Sequence, residues 1–444
     1  MTLYRNFAVV ASVAGGLLAA NVAQAATEIQ WWHAMGGSLG EVLNGLADGF
    51  NKSQSEYKVN AINKGTYTET LTGAMAAFRA KQHPHIVQVF EVGTATMMAS
   101  KGAIYPVHQL MADAGEKFDP KAYLPSVTGY YSTPDGKLLS YPFNSSTPVF
   151  YWNKNAFKKA GLDPDKPPKT WPEVAEAGKK LVAAGYQCGF TTQWQTWVQL
   201  ENFSAWHNLP FATKQNGMAG LDTEFKFNSP AHVKHIQSLA DWQKDKVFVY
   251  AGREAKSNPD FTSEKCPMFM GSSATAGGFA AAAKGKFDFG ISMLPYWPDV
   301  KGAPQNSIIG GATLWVLSGK SKAEYKGVAK FLAYLSRPEV QAKWHQETGY
   351  VPITLASYQL TLEQGFYQRN PGRDIAVLQL TNKPPTENSK GLRLGSFVQV
   401  RDIMDEELEA VWSGKKTAKQ GLDDAVARGN AKLREFEKAN KGKS

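Results

Sequence analysis

The chain has 444 residues, 43% hydrophobic and 20% charged, a globular composition that leaves no room for long disorder. Its 49 Lys and Arg against 39 Asp and Glu give a formal charge of +10. The bases are scattered among acids, with the densest short cluster at Lys415 and Lys416, which argues against a nucleic-acid footprint and for a mild attraction to anionic ligands.

The first residues read as an address. Arg5 supplies a positive start, Phe7 to Ala20 is an apolar run too short to span a bilayer, and Ala23-Gln24-Ala25 is an A-x-A cleavage site. The mature chain then begins near Ala26. No later apolar run is long enough for a membrane span, and no cysteine at the cleavage site offers a lipid anchor. An exported, unanchored protein stays with its cell only behind an outer membrane, which points to a Gram-negative periplasm. The roughly 420 residues left are too many for one core and suit two domains.

From Ala26 onward β and α patterns alternate. The periodicity predicts a strand at Glu28–His33, a helix at Leu39–Phe50, a strand at Tyr57–Ile62, a helix carrying Leu71, Met75 and Phe78, and a strand at Ile86–Phe90. This βαβαβ order implies an open, mostly parallel sheet. A second α/β unit starts at Val149–Trp152, and Thr170-Trp171-Pro172-Glu173 is a capping box opening a helix through Leu181. Extended runs follow at Pro267–Met270, Phe287–Leu294 and Thr313–Leu317, then a helix with Val328, Phe331, Leu332 and Leu335. The end of the chain from Arg401 is nearly all helical. No low-complexity linker divides the halves, so two lobes would be joined by more than one crossing.

Motifs for chemistry are sparse. Gly36-Gly37-Ser38-Leu39-Gly40 fits the G-x-S-x-G pattern of a nucleophile elbow. A hydrolase elbow follows several strands, however, and Ser38 follows the first, so a glycine-rich turn into a helix is the better reading. The pairs His83/His85 and His232/His235 have no third ligand near in sequence, and no Walker loop or G-x-G-x-x-G follows a strand. No metal or cofactor is therefore expected. Cys188 and Cys266 either close a disulfide in an oxidising compartment or remain two buried thiols; without geometry both stay open.

What stands out between the regular elements is a set of aromatic, small-polar stretches, among them "NKGTYTE", "QVFEVGTAT", "TTQWQTWVQLENFSAW" and "MFMGSSATAGGF". Aromatic faces, hydroxyls, a carboxylate and free amides suit a small polyhydroxylated ligand. Trp194 and Trp197, three apart, are equally compatible with one helical face packed in a core.

The stretches "FEVGTATMMASKGAIYPV", "PFNSSTPVFYWNKNAFKKAGLDPDKPPKTW", "WVQLENFSAW", "APQNSIIGGATLWV", "WHQETGYVPIT" and "KGLRLGSFVQVRDIMDEELEAVWSGKKT" closely resemble the periplasmic glycerol-phosphate-binding proteins of ABC importers. The likeness covers nearly the whole mature chain. The wider family is that of extracellular solute-binding proteins with the maltodextrin-binding fold. It implies an α/β, two-lobed periplasmic binding protein of type II with a multi-crossing hinge: a leader at 1–25, a first lobe of 26–147 plus 276–325, and a second lobe of 148–275 plus 326–444. It implies no catalysis and no cofactor. The partners it implies are sn-glycerol 3-phosphate, glycerophosphodiesters such as glycerophosphocholine, and the transmembrane permease subunits. A monomer that neither inserts in the membrane nor binds nucleic acid is also implied.

The resemblance places ligand contacts at Tyr67, Glu91, Ser146, Trp194, Trp197, Ser272, Gly311, Tyr350 and Arg401, with Ser145 competing for the place of Ser146. Their chemistry is coherent. Arg401 offers a forked donor to phosphate, Tyr67, Tyr350, Ser146 and Ser272 offer hydroxyls, and Gly311 an unobstructed amide. Glu91, an acceptor, suits glycerol hydroxyls, and the tryptophans cover the carbon chain. Two alternatives remain: an oligosaccharide binder of the same fold, and an exported esterase or phosphodiesterase working through Ser38 or an unrecognised site.

Overall fold

The computed structural model describes residues 2, 25–100, 102–133 and 135–441. The leader expected at 1–25 lies outside these apart from residues 2 and 25. Among the described residues nine strands form two sheets. Strands β1 (Thr27–His33), β2 (Tyr57–Asn63), β3 (Ile86–Phe90), β4 (Tyr141–Ser146) and β9 (Gly310–Val316) build the first, in the order β2-β1-β3-β9-β4. Strands β5 (Pro148–Asn153), β6 (Phe190–Thr192), β7 (Met268–Ser272) and β8 (Phe289–Ser292) build the second, in the order β6-β7-β5-β8.

Strand direction follows from how the chain crosses between lobes. Strands β1, β2 and β3 run parallel. Strand β4 ends where the chain leaves for the second lobe, so β9, which returns from it, starts at that edge and lies antiparallel between β3 and β4. In the second lobe β5 starts at the hinge and is antiparallel to both β7 and β8. The mostly parallel arrangement expected from alternation therefore holds for β1, β2 and β3 in the first sheet, and in the second only β6 and β7 run parallel. The consequence for function is that β3, β4, β6 and β7 all end at the cleft between the lobes, where the loops of open α/β sheets collect ligands.

The lobe boundaries expected at 276–325 and 326–444 need correction. Strand β8 pairs with β5 and belongs to the second sheet, while helices Lys322–Leu335 and Pro338–Thr348 pack on β1 and on helix Gly37–Ser53 of the first lobe. The chain thus crosses three times: at Thr147, between β8 and β9, and between helix Pro338–Thr348 and helix Ile375–Leu380, which packs on β5. A buried side-chain knot ties the crossings together. The Thr147 hydroxyl lies 2.7 Å from Ser307 Oγ and 3.0 Å from the Ile308 carbonyl. Gln379 donates to the Pro148 carbonyl at 2.7 Å and accepts from the Leu294 amide at 2.7 Å.

Cys188 and Cys266, left open by sequence, form a disulfide with Cα atoms 4.9 Å apart, tying the chain just before β6 to that just before β7. No helix among the described residues is long and apolar enough to cross a membrane.

Candidate functional site

All nine expected positions, Tyr67, Glu91, Ser146, Trp194, Trp197, Ser272, Gly311, Tyr350 and Arg401, line one cavity of about 60 Å³ between the lobes, together with Phe90 and Gly310. Each arrives at the cleft by a local rule. Thr66 and Glu69 form a capping box that starts helix Tyr67–Arg79 and puts Tyr67 in its first turn. Glu91 follows the last residue of β3, Ser146 and Ser272 end β4 and β7, and Gly311 is the second residue of β9. Alternation along β4 settles its neighbour: Ser146 faces the cavity, whereas Ser145 does not line it and its Oγ is buried without a partner.

Trp197 begins a π-helical stretch, Trp197–Asn202, whose six residues are all buried. Such stretches are rare and cluster at functional sites. Here it brings Trp197 and Glu201 to the same side. Trp197 lies in the wall with its indole N–H unpartnered, a donor available to a ligand. Trp194, in left-handed backbone with φ +45°, faces both this cavity and a wider one outside it.

Arg401, on helix Phe397–Trp412, is clamped. Its Nε and Nη2 donate to the two oxygens of Glu201 at 2.8 Å each, and Nη2 also donates to Glu91 Oε1 at 2.5 Å. The fork expected to hold a phosphate is thus engaged by Glu201, a residue that sequence reasoning passed over, and Nη1 is the end left without a protein partner among the described residues. Burial of the guanidinium is outweighed by Glu201 and Glu91, which hold its pKa above the usual value. Burial pushes the Glu201 carboxyl up against the pull of Arg401. Glu91 Oε2 accepts from the Gly311 amide at 3.1 Å, so Glu91, of the first lobe, is held by a donor from its own lobe and one from the other.

The hydroxyls are set as donors. Tyr67 stacks on Phe90 with ring centroids 5.1 Å apart and accepts from Asn144 Nδ2 at 3.0 Å. Tyr350 stacks on Trp344. Burial keeps both phenols neutral, Tyr67 well above its ordinary value and Tyr350 pushed up to about 12. Ser272 Oγ accepts from the Ala274 amide at 3.1 Å, which leaves its proton for another acceptor.

The outer cavity, about 730 Å³, shares Tyr67, Trp194, Ser272 and Tyr350 with the inner one. It is lined by two acids, Glu69 and Glu254, and by no basic residue. Ser38 lies on its wall. Gly36, not Ser38, is the cap of helix Gly37–Ser53, and Gly37 has φ +53° at the turn. The serine is the second helical residue and makes no side-chain hydrogen bond among those of the described residues. Ser38→Ala should therefore change stability by no more than about 0.5 kcal/mol, the scale for surface substitutions, and leave ligand affinity unchanged; a calorimetric titration and a thermal melt check both. The histidine pairs lie elsewhere. His83 and His85 bond the Ser318 carbonyl and Glu324, and His232 and His235 bond Ser204 and Gln199 inside the second lobe.

Two lobes joined by three crossings, with a polar cavity between them that holds no nucleophile paired to a base among the described residues, define a protein that captures a small solute. The chain belongs to the bacterial extracellular solute-binding protein family, whose model matches residues 45–374, and within it to the sn-glycerol-3-phosphate-binding periplasmic proteins. It is 54% identical over 432 residues to the protein of that name, UgpB, from Pectobacterium atrosepticum, covering 97% of this chain and 96% of the relative. The Salmonella typhimurium UgpB is 54% identical over 420 residues, covering 94% and 95%. Among solved structures, UgpB from Mycobacterium tuberculosis in complex with glycerophosphocholine superposes with a TM-score of 0.77 at 22% identity, over 92% of this chain and 99% of that one. Maltose-bound MalE3 of T. maritima gives 0.75 at 17%, over 91% and 100%; both likenesses report the fold. Members of the family are binding proteins, not enzymes, and Ser38 sits in the first turn of helix Gly37–Ser53.

Proposed function

We propose that this protein captures sn-glycerol 3-phosphate in the periplasm, as a monomer, and delivers it to the membrane permease of an ABC importer. The observation that carries this reading is the inner cavity itself: one buried arginine, four hydroxyl-bearing side chains, one carboxylate and two indoles converge on a space suited to a compact polyol anion. Arg401 Nη1, Tyr67, Tyr350, Ser146 and Ser272 supply donors to the phosphate. Glu91 accepts from the glycerol hydroxyls, and Trp194 and Trp197 cover the carbon chain. A row of sugar rings has no use for a buried arginine, which disfavours the oligosaccharide reading. Calorimetric titration with glycerol 3-phosphate tests the assignment, and displacement of that ligand by maltodextrin would overturn it.

Glycerophosphodiesters are a second ligand class, favoured by the outer cavity. A choline head group projecting past the phosphate would meet the Trp194 face and the carboxylates of Glu69 and Glu254, which suit a cation. In either case contact residues come from both lobes, so binding closes the hinge. Small-angle scattering should show a smaller radius of gyration and a monomer mass with saturating glycerol 3-phosphate. Identical curves for ligand-free and saturated protein would count against closure.

A further inference from the structure

Arg401 is the one basic residue lining either cavity among the described residues, and it faces two carboxylates. Glu201 comes from its own lobe and grips Nε and Nη2; Glu91 comes from the opposite lobe and meets Nη2 across the cleft. Three of the five guanidinium N–H groups are thereby committed. Because Arg401 and Glu201 share a lobe and Glu91 does not, opening the hinge would leave the Arg401–Glu201 pair whole and formally neutral and would withdraw Glu91 with the first lobe. On closure the three groups sum to one positive and two negative charges, a formal −1, in a space where Arg401, Glu91 and Glu201 are 7%, 5% and 1% exposed.

That charge decides which form of phosphate fits. A phosphomonoester is a dianion at neutral pH, its second pKa being about 6, and would raise the enclosed charge to −3. A phosphodiester carries one negative charge and raises it to −2. Like charges confined at low dielectric repel strongly, and the usual outcome is that one of them takes a proton. We propose that the Glu91–Arg401–Glu201 cluster couples capture of a phosphomonoester to uptake of one proton, and leaves capture of a phosphodiester proton-neutral. This rests on the ligand reading above and makes Glu201 a positioning residue with a selective role: it fixes Arg401 and sets the charge the ligand must match.

The groups around the cluster leave few other homes for the proton. Tyr130 and Tyr131 of helix Pro125–Tyr131, Tyr67 of helix Tyr67–Arg79, and Tyr350 are neutral phenols held above their ordinary range by burial. Asp405, one turn beyond Arg401, is the remaining acid; burial pushes it up to about 6 and it accepts from Gln195 at 2.8 Å. It lines neither cavity. The sign follows from linkage. Above about pH 6 the complex with a monoester holds one proton more than its separated components, so affinity falls as pH rises, by about tenfold per pH unit.

Calorimetry of the mature protein at pH 7.5, in two buffers of different ionisation enthalpy, reads the proton count. Glycerol 3-phosphate should take up close to one proton and lose about tenfold in affinity from pH 7 to pH 8; glycerophosphocholine should take up none. Glu201→Gln should abolish the uptake and flatten the pH profile, and Asp405→Asn should keep both. Glycerol 3-phosphate binding with no proton uptake, or uptake equal for both ligands, overturns the proposal. The wild-type monoester measurement decides by itself if Glu201→Gln fails to fold or the diester does not bind. Heat with neither ligand overturns the ligand assignment instead.

Discussion

Arg401→Ala should lose ligand capture and fold stability together. Truncating one partner of a buried charged pair costs about 2–5 kcal/mol of binding, here from roughly thirtyfold to several thousandfold in affinity. The stability loss comes from Glu201, 1% exposed and bonded through both oxygens to the lost side chain. A buried carboxylate left without its partner costs about 3–5 kcal/mol. The carboxyl, already pushed up by burial, then rises further by losing the cation that opposed the shift. A group whose folded pKa lies above its unfolded value makes the native state hold the extra proton, so stability falls as pH rises through that window. Denaturant unfolding should accordingly show a larger deficit for the variant at pH 8 than at pH 5. Arg401→Lys should recover charge but not the two-point grip on Glu201, and so recover affinity only in part. Less than a threefold affinity loss for the alanine variant would remove Arg401 from the site.

The elements legible in the sequence were those with a period. Strands β1, β2 and β3 and the helices between them have apolar spacing that only one secondary structure satisfies. The capping box at Thr170 fixes one helix start to the residue. Strand β4 was not legible. Its six residues, Tyr-Pro-Phe-Asn-Ser-Ser, are all buried, so no buried-exposed pattern marks it, and its pairing to β9 is irregular between Pro142 and Asn144. Strand β6 has three residues and no pattern to show. The lobe boundaries failed for another reason: a chain that crosses three times returns elements to a lobe in an order that local periodicity does not record.

The site was legible to the extent that it consists of polar and aromatic residues at strand ends, which a core does not require. Glu201 stood in the conspicuous stretch "WVQLENFSAW" and was still missed. An acid four residues past Trp197, in a stretch that also carries Val198, Leu200 and Phe203, is a signal for a buried ion pair, but its partner lies 200 residues away. The pair is invisible until the fold closes. The same distance hid the engagement of Arg401. Residue type suggested a free fork for phosphate, and geometry shows one held by two acids.

Gly311→Ala should be as damaging as the arginine change, by a route that involves no charge. Gly311 has φ +113°, and a Cβ built there would lie 2.1 Å from the Asn144 carbonyl oxygen across the β4–β9 pairing. Backbone strain at such a position costs about 1–3 kcal/mol, and forcing the neighbouring strand aside about 1–3 kcal/mol more. The displacement reaches the ligand site through two bonds. The Gly311 amide holds Glu91 Oε2, and the Asn144 side chain donates to the Tyr67 hydroxyl while accepting from Gln88. Moving either strand therefore disturbs Glu91 and Tyr67 at once. The expected result is a loss of about 2–6 kcal/mol in unfolding free energy and loss of measurable glycerol 3-phosphate binding. Gly73→Ala is the matched control: it lies exposed inside helix Tyr67–Arg79 with nothing within 4 Å of its built Cβ. Alanine there should stabilise the helix by about 0.5–1 kcal/mol and spare binding. A Gly311→Ala protein with wild-type unfolding midpoint and affinity would mean that β4 and β9 yield freely at the cleft, and that the Glu91 and Tyr67 positions do not depend on their spacing.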